Sequence, residues 1–410
     1  MIEKYYDGAI EQVAAGLGTV EKNHLLVRYS GQFSVENLND TKQLEKNEDI
    51  FVQVHEFETG EITCAYEPYL TMICDGFRRY MTGTFEEFME TCDVYYLHRP
   101  VLLGYFNQDN TGREEIILLD EVAYEQERML AALERMLCAI ADRHPVLFVL
   151  NRFQLASKST MQLTARFLKC ENCNIGLVLG VSDVQAMPEF LVPDWEMLYE
   201  TLDDGSKIYH IGNSGRKKEE TIDDEKYVDY GSEKVYRKLQ NMVEFLDFDQ
   251  AAYYLETIER KIKFDNLLVD DAARFRMWLL FVKVSILRQD IPKALEICED
   301  LEKIHLAGKE EECAYEQDYL IATAYMYQGK LKEALEMAGE TYRIAGKMSD
   351  DYRMFLSELL EAKIQMSGWY NIFFCAQDVK IKESLIQNLI RYNYRNHLAH
   401  VYIYAYDNKP

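Results

Sequence analysis

The chain has little positive charge for its size. Its 410 residues include 45 Lys and Arg against 70 Asp and Glu, which gives a formal net charge of −25. Nucleic acids and anionic membranes attract positively charged surfaces, so this composition argues against direct nucleic-acid binding and against membrane-surface binding. The nearest basic run, residues 216–218, is followed by acidic residues, and no basic helix-turn-helix is recognisable. A DNA-binding regulator is therefore disfavoured.

Long apolar runs are also missing. No stretch approaches the roughly 18 uninterrupted apolar residues of a membrane helix, and the first residues lack an apolar run of signal-peptide length. The nine cysteines are odd in number, and in a chain without an export signal they are expected to be reduced thiols. We expect a cytoplasmic protein. Apolar residues make up 48% of the chain, which excludes disorder throughout.

Metal-binding patterns are sparse. Cys170 and Cys173 form the single C-x-x-C motif, but no second pair lies at zinc-finger spacing and no thioredoxin context surrounds it. We interpret the two as a structural, reduced pair. His397 and His400 share a helical spacing without a carboxylate-rich partner motif, which favours packing over metal binding. No metal site is expected.

The first half of the chain alternates short apolar runs with amphipathic segments. Such alternation predicts buried parallel strands joined by crossover helices in an open α/β sheet. The helical segments cover roughly 34–46, 66–81, 121–142 and 159–170, after a leading helix near 5–16. The predicted strands are His24–Tyr29, Ile50–His55, Val146–Leu150, Ile175–Val181 and Lys207–Ile211.

The second half is helical and repetitive. Predicted turns centre on Asp247, Gln289, Gly329 and Gly368, spaced 42, 40 and 39 residues apart. A small residue follows each of the first three turns at the same offset, at Ala252, Ala294 and Ala334, whereas the fourth unit has Phe373 there. Asp290 and the following Pro292 suit the first turn of a helix. Repeated helical pairs predict a stacked solenoid.

A polar, charged stretch separates the two halves. We predict an α/β domain over residues 1–212, a charged linker over 213–229 and a helical-repeat domain over 230–410.

The third repeat carries the pattern Ala-x-x-Tyr-x-x-x-Gly-x-x-x-x-Ala, which resembles the tetratricopeptide repeat with a period near 40 in place of 34. An AAA-like ATPase module followed by such repeats is similar to bacterial signalling and transcription regulators of the STAND class (signal-transduction ATPases with numerous domains).

This resemblance places a phosphate-binding loop directly after the first strand. Such a loop needs glycines, a lysine and a Ser or Thr that holds Mg²⁺. Matching from Gly31, the final glycine position holds Glu36, the lysine position holds Asn37 and the Ser/Thr position holds Leu38. No G-x-x-x-x-G-K-[ST] motif occurs anywhere in the chain. The carboxylate of Glu36 would repel phosphate.

The resemblance also identifies residues 144–150 with the Walker B strand, which normally ends in acidic residues that hold Mg²⁺. Here it ends in Asn151 and Arg152. The implied fold is a degenerate AAA/P-loop-like domain with an inactive site and no cofactor. The alternative is an ATP- or ADP-dependent switch, for which Lys42, Arg28 and Arg152 are the available cations.

Tyrosine and methionine in the repeats suggest a binding surface. Both residue types suit adaptable protein interfaces, and Tyr319, Tyr325, Met326 and Tyr327 cluster in the third repeat. We expect a non-catalytic regulatory or scaffold protein that binds a protein or peptide partner and is a possible oligomer. The alternatives are the nucleotide switch and a fragment of a larger STAND-type transcription or cyclase regulator.

Overall fold

The computed structural model describes most of the chain. Several predicted features lie outside the described residues: the helix at 34–46, the loop positions Gly31, Glu36, Asn37, Leu38 and Lys42, linker residues 213–228, and Cys173, Gly368, Phe373 and His400. The described residues are 2–18, 24–29, 49–58, 60–108, 121–170, 174–182, 187–203, 207–211, 229–265, 267–367, 382–395, 397–399 and 401–402.

A parallel sheet of five strands lies in the first half of the chain. The strands are β1 His24–Tyr29, β2 Phe51–Glu56, β3 Val146–Asn151, β4 Ile175–Ser182 and β5 Lys207–Ile211. Their order across the sheet is β2-β3-β4-β1-β5, and every neighbouring pair is parallel. The predicted strand positions and the parallel α/β class are thus confirmed.

Helices accompany the sheet, whose strands β1, β3 and β4 are apolar and buried along almost their whole length. The helices of this half are α1 Ile2–Gly16, α2 Tyr69–Tyr80, α3 Phe85–Thr91, α4 Arg99–Asn107, α5 Val122–Ala141, α6 Lys158–Lys169 and α7 Val192–Asp203. Ile10 and Val13 of α1 pack against Leu25, Val27 and Val178 in one core cluster. A Cβ at Gly176 would lie 2.6 Å from the Val13 side chain, so only glycine lets α1 approach β4 this closely.

The second half is a series of helices. They are α8 Glu233–Glu244, α9 Phe248–Phe264, α10 Asp271–Leu287, α11 Ile291–Leu301, α12 Glu310–Gln328, α13 Leu331–Met348, α14 Asp351–Met366 and α15 Glu383–Arg391. Among these helices, α10 packs on α11, α12 on α13, and α13 on α14. This half is therefore a helical stack.

Four of the turns between these helices share one backbone motif. A residue with left-handed backbone ends each helix, namely Leu246, Gln289, Gly329 and Ser349. The N–H of the next residue donates to the carbonyl five positions back, as in the Schellman motif. These bonds run from Asp247 to Met242, Asp290 to Ser285, Lys330 to Tyr325 and Asp350 to Ala345, at 2.7 to 3.1 Å. Asp290 also caps α11 as predicted, since its side chain accepts from the Lys293 N–H.

The small residues after the turns are all buried. Ala252, Ala294 and Ala334 have exposed fractions of 0 to 1%. Ion pairs add cross-links between helices: Lys293 contacts Glu259 at 2.9 Å, and Arg353 contacts Glu316 at 2.8 Å. Small buried side chains permit the close helix approach that the repeat pattern predicts.

The chain divides into two compact units. The first comprises Met1–Gly112, Ala123–Asp229 and Asn241–Gln250, and the second comprises Arg113–Val122, Tyr230–Gln240 and Ala251–Pro410. The turn between α8 and α9 thus belongs to the first unit. There the Asp247 carboxylate accepts a 3.0 Å hydrogen bond from the Ser159 N–H at the start of α6. Among the described residues, no helix is both long and apolar enough to cross a membrane.

Candidate functional site at the carboxyl edge of the sheet

The strand order singles out one place on the sheet. The chain leaves β1 toward the β2 edge, whereas it leaves the neighbouring strand β4 toward the β5 edge. In open parallel sheets, ligands bind outside the carboxyl ends of the strands, where the direction of winding reverses. Here that position lies at the ends of β1 and β4, beside β3. We take this edge as the candidate site.

Tyr29 and Asn151 meet at this edge. Tyr29 is the last residue of β1 and Asn151 the last of β3, and both are almost completely buried. The Tyr29 hydroxyl donates a 2.7 Å hydrogen bond to the Asn151 side-chain oxygen. Burial raises the pKa of Tyr29 to about 12, although nearby Arg152 and the bond to Asn151 act in the opposite direction. The phenol is therefore a neutral donor at physiological pH.

Arg152 follows Asn151 in a left-handed backbone conformation, with φ of 53°. This conformation is uncommon for residues other than glycine. Its Nε lies 3.3 Å from a carboxylate oxygen of Glu56, the last residue of β2. Glu56 and Asn151 are direct partners in the strand register, which explains how the ion pair forms. The cation at the predicted Walker B end is thus paired with an acid from the adjacent strand.

Gln154 joins the end of β4 to the same edge. Its side-chain amide donates to the Ser182 carbonyl at 3.2 Å, and its side-chain oxygen accepts from the Ser182 N–H at 3.3 Å. Both residues are buried. A side chain that satisfies both backbone groups of a strand end fixes that end in place.

These residues do not fit a magnesium-bound nucleotide. P-loop enzymes hold the metal with an acidic side chain at the end of a strand, and the resemblance predicted that position at Asn151. The Asn151 oxygen has no formal charge and already accepts the Tyr29 proton. The next side chain, Arg152, is a cation that would repel the metal. In the part of the chain that the structure describes, no group of three or more His, Cys, Asp or Glu side chains is arranged to hold a metal ion.

The other predicted cation, Arg28, lies on β1. Its guanidinium carbon is 4.9 Å from the centre of the Tyr199 ring on α7, a cation–π contact. Arg28 and Arg152 are the two proposed stand-ins within the described residues, and each has an intramolecular partner. The phosphate-loop positions Gly31, Glu36, Asn37 and Leu38 fall outside the described residues.

The four predicted partner-binding residues lie on α12 but differ in exposure. Tyr319, Tyr325 and Met326 are half-buried and pack against the cluster around Ala322, Ala334 and Leu360. Tyr327 is 38% exposed. The four are therefore not one continuous exposed patch. Tyr327 is the member that offers its ring to solvent.

The sequence reasoning missed three contributors to the edge: Tyr29, Glu56 and Gln154. The sequence does show polar or amphipathic residues where the apolar strands end, and this pattern could have marked them as candidates. The pattern does not show which of these side chains contact each other. No protein-family model, curated protein or solved structure matches this chain.

Proposed function

We propose that this chain is a non-catalytic regulatory or scaffold protein. In this proposal the helical repeats bind a protein or peptide partner, and the α/β unit is a degenerate AAA-like module that does not hydrolyse ATP. The hydrogen bond from Tyr29 to Asn151 is the observation that carries the second part. At the strand end where a P-loop ATPase has a metal-binding carboxylate, this chain has the Asn151 amide, and its oxygen accepts a hydrogen bond from Tyr29.

The arrangement of strand ends supports the AAA-like interpretation. A P-loop ATPase holds Mg²⁺ between the loop after one strand and an acid at the end of another, so those two strand ends must meet. The ends of β1 and β3 meet here, through Tyr29 and Asn151. Two strand ends therefore lie close together, as such an enzyme needs. In place of acidic side chains, they carry the amide of Asn151 and the guanidinium of Arg152, which is paired with Glu56.

Exposed aromatic side chains support partner binding by the helical unit. Tyr327, Tyr342 and Tyr352 are between 36 and 40% exposed and come from three successive helices, α12, α13 and α14. Tyrosine is enriched at protein interfaces because its ring buries a large area while its hydroxyl stays hydrogen-bonded. The sequence resemblance to STAND regulators and to tetratricopeptide repeats leads us to expect a role in signal transduction.

Nucleotide titration tests the inactive module. The full chain is titrated with ATP and ADP, with and without Mg²⁺, while thermal melting and calorimetric heat are followed. A nucleotide at one hundred times its dissociation constant would stabilise the folded state by about 2.7 kcal/mol. We expect no shift. A Mg²⁺-dependent shift would contradict the proposal and would favour the alternative, a nucleotide-dependent switch.

Photo-crosslinking tests the partner surface. A benzophenone amino acid is placed at Tyr327, and at Tyr124 of the first unit as a control, because Tyr124 is 64% exposed. We expect a specific cross-linked polypeptide from position 327. The identified partner should then bind Tyr327→Ala at least about fivefold more weakly than Tyr124→Ala, since an interface tyrosine contributes upwards of about 1 kcal/mol. Equal binding by the two variants would exclude Tyr327 from the interface.

A further inference from the structure

Helices α5 and α6 lie side by side with a matched register. Arg166 of α6 contacts Glu134 of α5 at 2.8 Å. One helical turn further along each chain segment, the sulfur of Cys138 lies 3.6 Å from the sulfur of Cys170. Both contacts join residues 32 positions apart, which means that the two helices run in the same direction where they touch. The ion pair and the two thiols lie one turn apart along this contact.

We propose that Cys138 and Cys170 are a redox-reactive pair that forms a disulfide when the protein meets a peroxide. The inference goes beyond the proposed function and does not depend on it. Neither cysteine is part of a disulfide in this structure, and both are half-buried, so each is partly accessible to a small oxidant. The ion pair between Arg166 and Glu134, one turn earlier, joins the same two helices.

The surroundings of Cys138 assign the order of reaction. Cys138 lies within α5, where burial raises the pKa of its thiol and the neighbouring Cys170, Glu134 and Asp142 raise it further. A thiol with a raised pKa is a poor nucleophile, because the thiolate is the species that attacks. We therefore assign the first attack on peroxide to Cys170, which follows the last turn of α6, and the second step to Cys138.

The chemistry balances with hydrogen peroxide as the oxidant. The Cys170 thiolate attacks one peroxide oxygen, the O–O bond breaks, and hydroxide leaves and takes up a proton to become water. The Cys170 sulfenic acid then reacts with the Cys138 thiol. The new S–S bond forms as the S–O bond breaks, and the sulfenic hydroxyl leaves with the Cys138 proton as a second water. Two thiols are oxidised and one peroxide is reduced.

This pairing differs from the one that the sequence motif suggests. The C-x-x-C motif pairs Cys170 with Cys173, which lies outside the described residues, whereas the contact described for the Cys170 sulfur is with Cys138. Cys298 provides a contrast within the same chain. It is buried in α11, and burial raises the pKa of its thiol to about 12. Because Cys298 is buried, whereas Cys138 and Cys170 are half-buried and in contact with each other, we expect peroxide to oxidise the pair faster than Cys298.

Peptide mapping of the full chain under non-reducing conditions tests the pair. The reduced protein is treated with hydrogen peroxide, the remaining thiols are alkylated, and cross-linked peptides are identified by mass spectrometry. We expect the nine free thiols to fall by two, with a peptide that joins Cys138 to Cys170. Cys173→Ser and Cys298→Ser should keep this link, whereas Cys170→Ser should abolish it.

A second variant keeps the result interpretable if Cys170→Ser folds poorly. In Cys138→Ala the Cys170 sulfenic acid has lost its resolving thiol, so dimedone should label Cys170 more strongly than in the wild type. Thermal melting of the reduced variants verifies that each is folded. A wild-type map that shows Cys170 joined to Cys173, or that shows no disulfide at all, would overturn the proposal.

Discussion

The hydroxyl of Tyr29 lies 2.7 Å from the side-chain oxygen of Asn151, although 122 residues separate the two in the chain. The bond connects the end of β1 with the end of β3, past the intervening strand β4. It places a neutral donor and a neutral acceptor at the reversal point of the sheet. The ends of β1 and β3 are thereby joined by a buried hydrogen bond within the chain.

Removal of this hydrogen bond should destabilise the α/β unit. Tyr29→Phe takes away the donor and leaves the buried Asn151 oxygen without it, at a cost of about 1–3 kcal/mol in the free energy of unfolding. Urea denaturation of the full chain measures the change. Tyr124→Phe is the matched control, because the Tyr124 ring is exposed and should shift stability by less than about 0.5 kcal/mol.

A double-mutant cycle separates the bond from other effects of the substitution. Tyr29→Phe, Asn151→Ala and the combined variant are compared with the wild type. We expect a coupling energy of about 0.5–3 kcal/mol, because contacting residues are not additive. Additive losses within experimental error would mean that the two side chains do not stabilise each other.

Two glycines of the helical unit should respond in opposite ways to alanine. A Cβ at Gly329 or at Gly339 would meet no atom within 4 Å, so neither substitution creates a clash. Gly329 has a φ of 80°, and alanine there should cost about 1 kcal/mol of folding stability. Gly339 lies inside α13, where alanine should stabilise by about 0.5–1 kcal/mol.

Chemical denaturation of the two single variants checks this pair. The new methyl group has open space at both positions. Opposite signs of the change in the free energy of unfolding would therefore reflect the backbone conformation of the two residues and not a steric clash. Equal effects at the two sites would show that the turn after α12 does not hold its left-handed residue in the folded protein.

The carboxyl group of Asp318 should make stability depend on pH. Burial raises its pKa to about 6, and the negative charges of Glu340 and Glu302 act in the same direction. Between its ordinary pKa of 3.8 and about 6 the folded state holds the proton more tightly than the unfolded state. This group therefore contributes stability at low pH that is lost as the pH rises through that window.

Asp318→Asn removes the titration. At pH 7 the variant should be more stable than the wild type by about 1–2 kcal/mol, a figure reduced for partial solvent exposure. Near pH 4 the two proteins should converge. Urea denaturation across pH 4 to 7 measures the difference, with the exposed Glu336→Gln as control. A difference that is constant over this range would contradict the assignment.

Local patterns predicted the elements well. Runs of apolar residues marked β1, β3 and β4, since strands covered on both faces need apolar side chains on both faces. Turn residues and buried alanines marked the helical pairs around Gln289 and Gly329. The helix Arg99–Asn107 was not predicted, because its apolar residues show no clean period.

The candidate site was predicted only in part. Asn151 and Arg152 stood out because the resemblance supplied the expected acids for comparison. Tyr29 and Glu56 did not, because a tyrosine or a glutamate at a strand end has no fixed meaning until the neighbouring strand is known. The same holds for Cys170, whose described sulfur contact is with Cys138, 32 residues earlier in the chain.

The alternation of strands and helices, the change to an all-helical second half and the residue types at each strand end can all be read from the amino-acid sequence. They depend on short-range periodicity and on residue identity, which are properties of local segments. Which strand ends meet is set by the folded arrangement. Strand order brings Tyr29 to Asn151 and Arg152 to Glu56, and the register of α5 against α6 brings Cys138 to Cys170. Such pairings depend on packing between distant segments, so no local pattern encodes them.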